Sequence, residues 1–342
     1  MNLKKYSGNP ILHANTACDW ENLCVLNPGV VYDEKNDEFI MLYRAAGNDK
    51  EHIIRFGLAK SKDGVHFTRV SDTPCFDVHP EDVDGGCVED PRIVKIDGIY
   101  YVTYAARPFP PGQYWLDDQF DIVGYNLEKQ PDTAPLCIQT NRTVSYLAST
   151  RDFKSFKRLG RITDPRFDDR DVLIFPEKVN GKFVRISRPK FKDGRVKMPS
   201  IWISYGDDLL CYEEPELLIT GEQDWEMARI GAACPPIKTD KGWFMLYHGV
   251  SEKDNRYRVG AIIMDLNDPK KVIARTKDYF MEPEYDYELS GYYDGCVFPT
   301  GNIVKDGVLY VYYGCSDQYI GLATADFKKL VDEVYACGKE NL

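Results

Sequence analysis

Apolar residues come along this chain in short runs, each bounded by proline, glycine, asparagine or aspartate, and the runs recur in the same order five times. Asn27-Pro28-Gly29-Val30-Val31, Asp90-Pro91-Arg92-Ile93-Val94, Phe175-Pro176-Glu177-Lys178-Val179, Pro235-Pro236-Ile237-Lys238 and Phe298-Pro299-Thr300-Gly301-Asn302-Ile303 each carry a proline, run into a short apolar strand and reach a turn. The turns are Asn36-Asp37, Asp97-Gly98, Asn180-Gly181, Lys241-Gly242 and Asp306-Gly307, residue types that accept the positive φ of tight hairpins. Aromatic and β-branched second strands follow: Phe39 to Tyr43, Tyr100 to Tyr104, Phe183 to Ile186, Trp243 to Tyr247 and Val308 to Tyr312. A third strand is seen at Phe56 to Ala59, Tyr146 to Ala148, Ile201 to Ile203, Val259 to Ile262 and Ile320 to Ala323.

Counted on prolines 28, 91, 176, 236 and 299, the repeat steps by 63, 85, 60 and 63 residues. Multi-strand units at a near-constant period predict an all-β fold, a five-bladed β-propeller, in one domain over residues 1–342 with units opening near 27, 88, 172, 229 and 295. The long second step comes from residues 107–143, rich in Pro, Gly, Asp and aromatics. It reads as a loop on the face where the first strands begin, and long loops of this kind usually carry function.

Composition narrows the partners. Lys+Arg 43 against Asp+Glu 54 gives a net charge of -11, which argues against nucleic acid and for a small ligand. No apolar run is long enough to span a membrane. Ten scattered cysteines, without a C-x-x-C or a leading apolar stretch, predict reduced thiols in a cytoplasmic protein. No metal-ligand spacing is present, and a homo-oligomer is compatible with the composition.

Cations nonetheless gather at equivalent places in the repeat: Arg170 and Arg229 before first strands, Arg188 and His248 at the ends of second strands, with Tyr257 leading into a third. Guanidinium forks, an imidazole and a phenol suit a phosphate dianion. Singly, each is as readily a salt-bridged surface group, and Arg170 lies between Asp169 and Asp171, which predicts an ion pair there. Asp90, taken alone, is a turn residue before proline.

At Glu89-Asp90-Pro91-Arg92 the chain resembles glycoside hydrolase family 130, the β-mannoside phosphorylases and related β-mannosidases, which are five-bladed propellers. The likeness runs over nearly the whole chain through Leu42-Tyr43-Arg44, Phe175-Pro176-Glu177-Lys178, Ser187-Arg188-Pro189, Arg229-Ile230-Gly231-Ala232, Tyr247-His248-Gly249 and Tyr312-Tyr313-Gly314-Cys315-Ser316-Asp317. One departure is Asp294-Gly295-Cys296-Val297-Phe298, where the family pattern has Asn ahead of the last Phe-Pro.

The resemblance implies that Asp90 is the catalytic acid, acting on the glycosidic oxygen directly or through a hydroxyl of the mannosyl ring. It implies that Arg170, Arg188, Arg229, His248 and Tyr257 bind phosphate, and that Asn27, Arg44, Glu89, Arg92, Lys178 and Asp317 bind the sugar. The implied reaction is inverting, reversible phosphorolysis of a β-mannoside to α-D-mannose 1-phosphate, with inorganic phosphate as co-substrate and no cofactor or metal. Tyr114 and Trp115 of the insertion are candidates either for stacking on an acceptor sugar or for packing. Two other readings compete. An inverting β-mannosidase of the same fold would need a second carboxylate about 6.5–9.5 Å from the acid to activate water. A non-catalytic sugar-binding propeller would need no acid on the axis.

Overall fold

The computed structural model describes residues 2–79, 83–113, 115–116, 129–134 and 136–339. Five antiparallel units surround a common axis, and the chain is a five-bladed β-propeller. The first blade is Cys24–Asp33, Glu38–Ala46, Ile54–Ser61 and Thr68–Arg69. The second is Cys87–Ile96, Ile99–Arg107, Val144–Thr150 and Phe156–Arg161. Asp169–Ile174, Phe183–Pro189, Ile201–Gly206 and Glu216–Ile219 form the third. In the fourth, Arg229–Ala232 and Ile237–Thr239 both pair with Gly242–Val250, followed by Tyr257–Met264 and Val272–Arg275. The fifth is Val297–Lys305, Val308–Cys315 and Tyr319–Asp326, completed from the other end of the chain by Lys4–Lys5. A single parallel bridge, Ile54 with Cys87, runs the first two blades into one sheet.

The hairpins close as their turn residues require. Asp97 and Gly98, Asn180 and Gly181, and Asp306 and Gly307 all take positive φ, between 49° and 80°, the two left-handed residues of a twist-compatible tight turn. Between blades the inner faces interdigitate: Phe244, Ile263, Val311 and Tyr313 share one buried cluster with Leu330, Val331 and Val334 of the helix Phe327–Lys339. Among the described residues no helix is long and apolar enough to cross a membrane.

The innermost strands carry the feature that builds the site. Each of the first three breaks register by a bulge, between Leu26 and Gly29, Glu89 and Arg92, and Arg170 and Leu173. The bulged residues Asn27, Asp90 and Asp171 have φ of 44°, 55° and 53°. A bulge sets one residue outside the pleat and re-aims its side chain, and Asn and Asp tolerate the left-handed conformation better than other non-glycine residues. The fourth blade interrupts its inner strand altogether, at Ala233 to Pro236.

This geometry corrects the register expected for the third unit. Pro176 does not open the inner strand: that strand is Asp169–Ile174, and Pro176 sits beyond it on the way to the Asn180-Gly181 turn. Val172, not Pro176, occupies the place of Pro91.

Candidate active site

In every blade the start of the first strand, the end of the second and the start of the third lie on one face, because the strands alternate in direction. Asn27, Asp90, Asp171, Arg44, Arg188, His248 and Tyr257 occupy those positions. They converge on the axis around a cavity of about 280 Å³ whose wall includes Asn27, Arg44, Glu89, Asp90, Arg170, Asp171, Arg188, Tyr257 and Asp317.

Asp90 is held from one side. Asn27 Nδ2 donates to its Oδ1 at 2.8 Å and Arg44 Nη1 at 3.0 Å, so both donors take the same oxygen. Glu89 lies behind it, buried, with Arg44 at 3.2 Å, Arg107 at 3.7 Å and the Cys87 thiol donating to it at 3.0 Å. Burial pushes the Glu89 carboxyl up, but Arg44, Arg107 and Arg170 outweigh it and hold it down to about 2. Glu89 is therefore an ionised brace that fixes Arg44, and Arg44 in turn fixes Asp90.

The third and fourth blades supply the cationic group. Arg188 Nη1 is 2.9 Å from Asp171 Oδ2, and His248 Nε2 is 3.5 Å from the same oxygen. Arg188 Nε and both ring nitrogens of His248 are buried with no hydrogen-bond partner in the protein. Burial, together with the positive field of Arg188, Arg92 and Arg229 and against the pull of Asp171, lowers the His248 pKa to about 3, so the imidazole is neutral. Arg229 donates to the hydroxyls of Tyr257 at 3.1 Å and Tyr293 at 2.9 Å. Those two phenols are its partners in place of a carboxylate. Gly231 makes the approach of these groups feasible, since a Cβ there would overlap Asp171 Oδ2 and the His248 ring.

Of the residues singled out from sequence, Asn27, Arg44, Glu89, Asp90, Arg170, Arg188, Tyr257 and Asp317 line the cavity, and His248 and Arg229 stand directly behind that wall. Arg170 is an ion pair, as its acidic neighbours suggested, but with a different one: it forks onto Asp168 with two bonds of 3.0 Å.

Two residues do not join the substrate side. Arg92 is occupied in tying blades together, donating to Ala233 O at 2.8 Å, Ala232 O at 3.2 Å and Asp171 Oδ1 at 3.3 Å. Lys178 is exposed beyond the far end of the inner strand, its ammonium over the Phe183 ring at 4.3 Å. Aligning the third unit on Pro176 is what brought Lys178 forward and left Asp171 as a mere neighbour of Arg170. The signal for Asp171 was present: like Asn27 and Asp90, it is the Asx residue opening an apolar strand.

The start of the insertion reaches over this face. Gly112 N donates to Glu51 O at 3.0 Å and Gln113 Nε2 to Asp49 O at 2.8 Å, in the first blade. Trp115 packs on Tyr292 with centroids 4.4 Å apart and edge-on to His52 at 4.8 Å, which is the packing role of the two open to it. Pro111 lines the cavity. Tyr114 lies outside the described residues, as do 117–128. In the loop that departs from the family pattern, Asp294 turns away to accept from Gly291 N at 3.1 Å, and Cys296 faces the cavity instead.

The sequence profile of glycoside hydrolase family 130, described as beta-1,4-mannooligosaccharide phosphorylase, matches residues 3–126 and 136–336. A 1,2-beta-oligomannan phosphorylase from Thermoanaerobacter sp. (strain X514) is 37% identical over 334 residues, covering 96% of this chain and 98% of the relative. A beta-1,2-mannobiose phosphorylase from the same organism is 33% identical, with 96% and 98% covered. Among solved structures, the beta-1,2-mannobiose phosphorylase of Listeria innocua in complex with beta-1,2-mannobiose superposes with a TM-score of 0.77 at 26% identity, covering 98% of this chain and 100% of that one.

Proposed function

Because this chain belongs to glycoside hydrolase family 130, we propose that it catalyses the reversible phosphorolysis of β-mannosides, with inversion, to α-D-mannose 1-phosphate. The observation that carries the reading is that one cavity brings together a positioned carboxyl, Asp90, and buried donors, Arg188 Nε and the ring nitrogens of His248, that have no hydrogen-bond partner in the protein. The mannosyl ring sits between them. Asp90 gives its proton toward the leaving oxygen, the C1–O bond breaks, and a phosphate oxygen bonds C1 from the opposite face. Inorganic phosphate is the co-substrate, and no organic cofactor or metal enters the scheme.

Arg188 Nε and one nitrogen of neutral His248 are the donors for phosphate, and Arg229 and Tyr257 add charge and a hydroxyl. Buried donors without partners are costly, and an acceptor oxygen of the dianion removes that cost. Asn27, Arg44 and Asp317 remain for the sugar hydroxyls.

Asp171 gives the hydrolase reading its one specific support, as a second carboxylate in the cavity wall. Burial pushes its pKa up, but the guanidinium groups of Arg188, Arg92 and Arg170 bring it below the ordinary carboxylate value. A carboxylate held below its ordinary pKa is a weaker general base. Its better use is to aim Arg188.

The relatives that share a third or more of this sequence are named for β-1,2 linkages, and we take that linkage for this chain. Incubation with phosphate and either β-1,2- or β-1,4-mannobiose tests it: the β-1,2 isomer is expected to release mannose 1-phosphate at least about tenfold faster per unit concentration, a margin near 1.4 kcal/mol. Faster turnover of the β-1,4 isomer would overturn the assignment.

A further inference from the structure

Beside the catalytic cavity lies a second one of about 570 Å³, and the two share Arg107 and Arg170 in their walls. Arg107, Arg142, Arg166, Arg170, Lys190 and Lys192 line it, and Asp168 is the one carboxylate in its wall among the described residues. Such a concentration of positive charge is out of keeping with a chain of net charge -11.

Local pairing compensates part of that charge, and Arg107 faces Glu89 at 3.7 Å. Asp168 is divided between Arg170, which it binds through both oxygens, and Lys190 at 3.4 Å. Arg166 is neutralised by Asp164. Arg142 donates to a backbone carbonyl, that of Arg166, and Lys192 is exposed at the rim. Burial, and after it the neighbouring Arg170, lower the Lys190 pKa despite Asp168.

We propose that this cavity is a second phosphate site, an antechamber that collects phosphate dianions from solution and passes them along Arg170 to Arg188 and His248. The inference rests on the phosphorolysis reading. An acidic molecule repels a dianion at long range, and a cleft lined by one sign of charge reverses that locally and raises the arrival rate. Arg170, common to both walls, is the step between them.

The test is the triple variant Arg142→Gln, Lys190→Gln, Lys192→Gln, none of which touches the catalytic cavity, assayed with phosphate, β-mannobiose and, in reverse, mannose 1-phosphate. The KM for phosphate is expected to rise about tenfold with kcat retained, while the KM for mannobiose stays within about twofold. Wild-type kcat/KM for phosphate should fall with added KCl more steeply than that of the variant. Lys192→Gln alone, at an exposed position that is safe for folding, should give a smaller rise in the same direction.

The reverse arm identifies the ligand. The KM for mannose 1-phosphate rises as well if the site takes any phosphate dianion, and is unchanged if it takes free phosphate alone. A phosphate-dependent wild type whose triple variant keeps the same KM for both ligands and the same salt dependence overturns the antechamber. Release of free mannose at a rate indifferent to phosphate overturns the phosphorolysis reading as well.

Discussion

Asp90 owes its position to three side chains that do no chemistry themselves. Asn27 and Arg44 take one of its oxygens, and Glu89 holds Arg44 in place. Asp90→Asn keeps the shape and the two contacts while removing the acid, so turnover of an unactivated mannobiose should fall by about 10²–10⁴-fold with the fold intact. Unchanged turnover by the folded variant would remove Asp90 from the chemistry.

His248 supplies a pH test. Its folded-state pKa of about 3 lies below its ordinary 6.5. Below pH 6.5 the unfolded chain takes up a proton that the folded protein does not, so this residue's contribution to stability is full above 6.5 and is lost as pH falls toward 3. Asp169, which burial raises to about 7 despite Arg185, works in the opposite sense between its ordinary 3.8 and 7, where stability is lost as pH rises. Asp169 is common to wild type and His248→Gln, so it cancels in their difference. Urea midpoints from pH 6.5 to 4 should show the wild type losing up to about 1.4 kcal/mol per pH unit relative to the variant. Parallel profiles would mean that the imidazole is not held neutral.

The bulged inner strands turn a repeat into a site. Asn27, Asp90 and Asp171 are one structural position in three blades, each left-handed and each facing the axis. The residue types were legible in the sequence, because Asx before an apolar run is visible there. The register was legible only where proline marked it, in the first two blades. In the third, Val172 stands where proline would, Pro176 drew the alignment past the strand, and Lys178 was placed at the site in error.

Small residues on these strands matter as much as charged ones. Gly231→Ala would press a methyl group into Asp171 and His248, and overpacking of this kind typically costs about 1–3 kcal/mol. The expected outcome is a fall in thermal midpoint together with weaker phosphate binding. A variant with wild-type phosphate KM would mean that Asp171 and His248 do not jointly position the phosphate donors.

At the scale of the whole molecule, five units become one ring through contacts that no single repeat displays. Lys4–Lys5 pairs with Tyr319–Asp326, so the two ends of the chain share a blade. Thr300 Oγ1 donates to Pro28 O at 3.1 Å, Thr103 Oγ1 to Val172 O at 2.6 Å and Asn302 Nδ2 to Pro235 O at 3.2 Å, each crossing between blades. A two-residue closing strand and a set of side chain to backbone bonds leave no periodic trace. The sequence therefore showed the number of blades and could not show how the ring closes, nor that Arg92 serves the closure and not the substrate.

The ring brings the Asp90 carboxyl and buried, unpartnered donors to one cavity, and the central claim is that phosphate, not water, attacks the mannosyl carbon. The direct test is the initial rate against phosphate concentration at fixed β-1,2-mannobiose, with the sugar product identified. The account predicts saturable dependence on phosphate, with α-D-mannose 1-phosphate appearing in step with free acceptor mannose. Two molecules of free mannose per disaccharide, at a rate that does not change with phosphate, would contradict it.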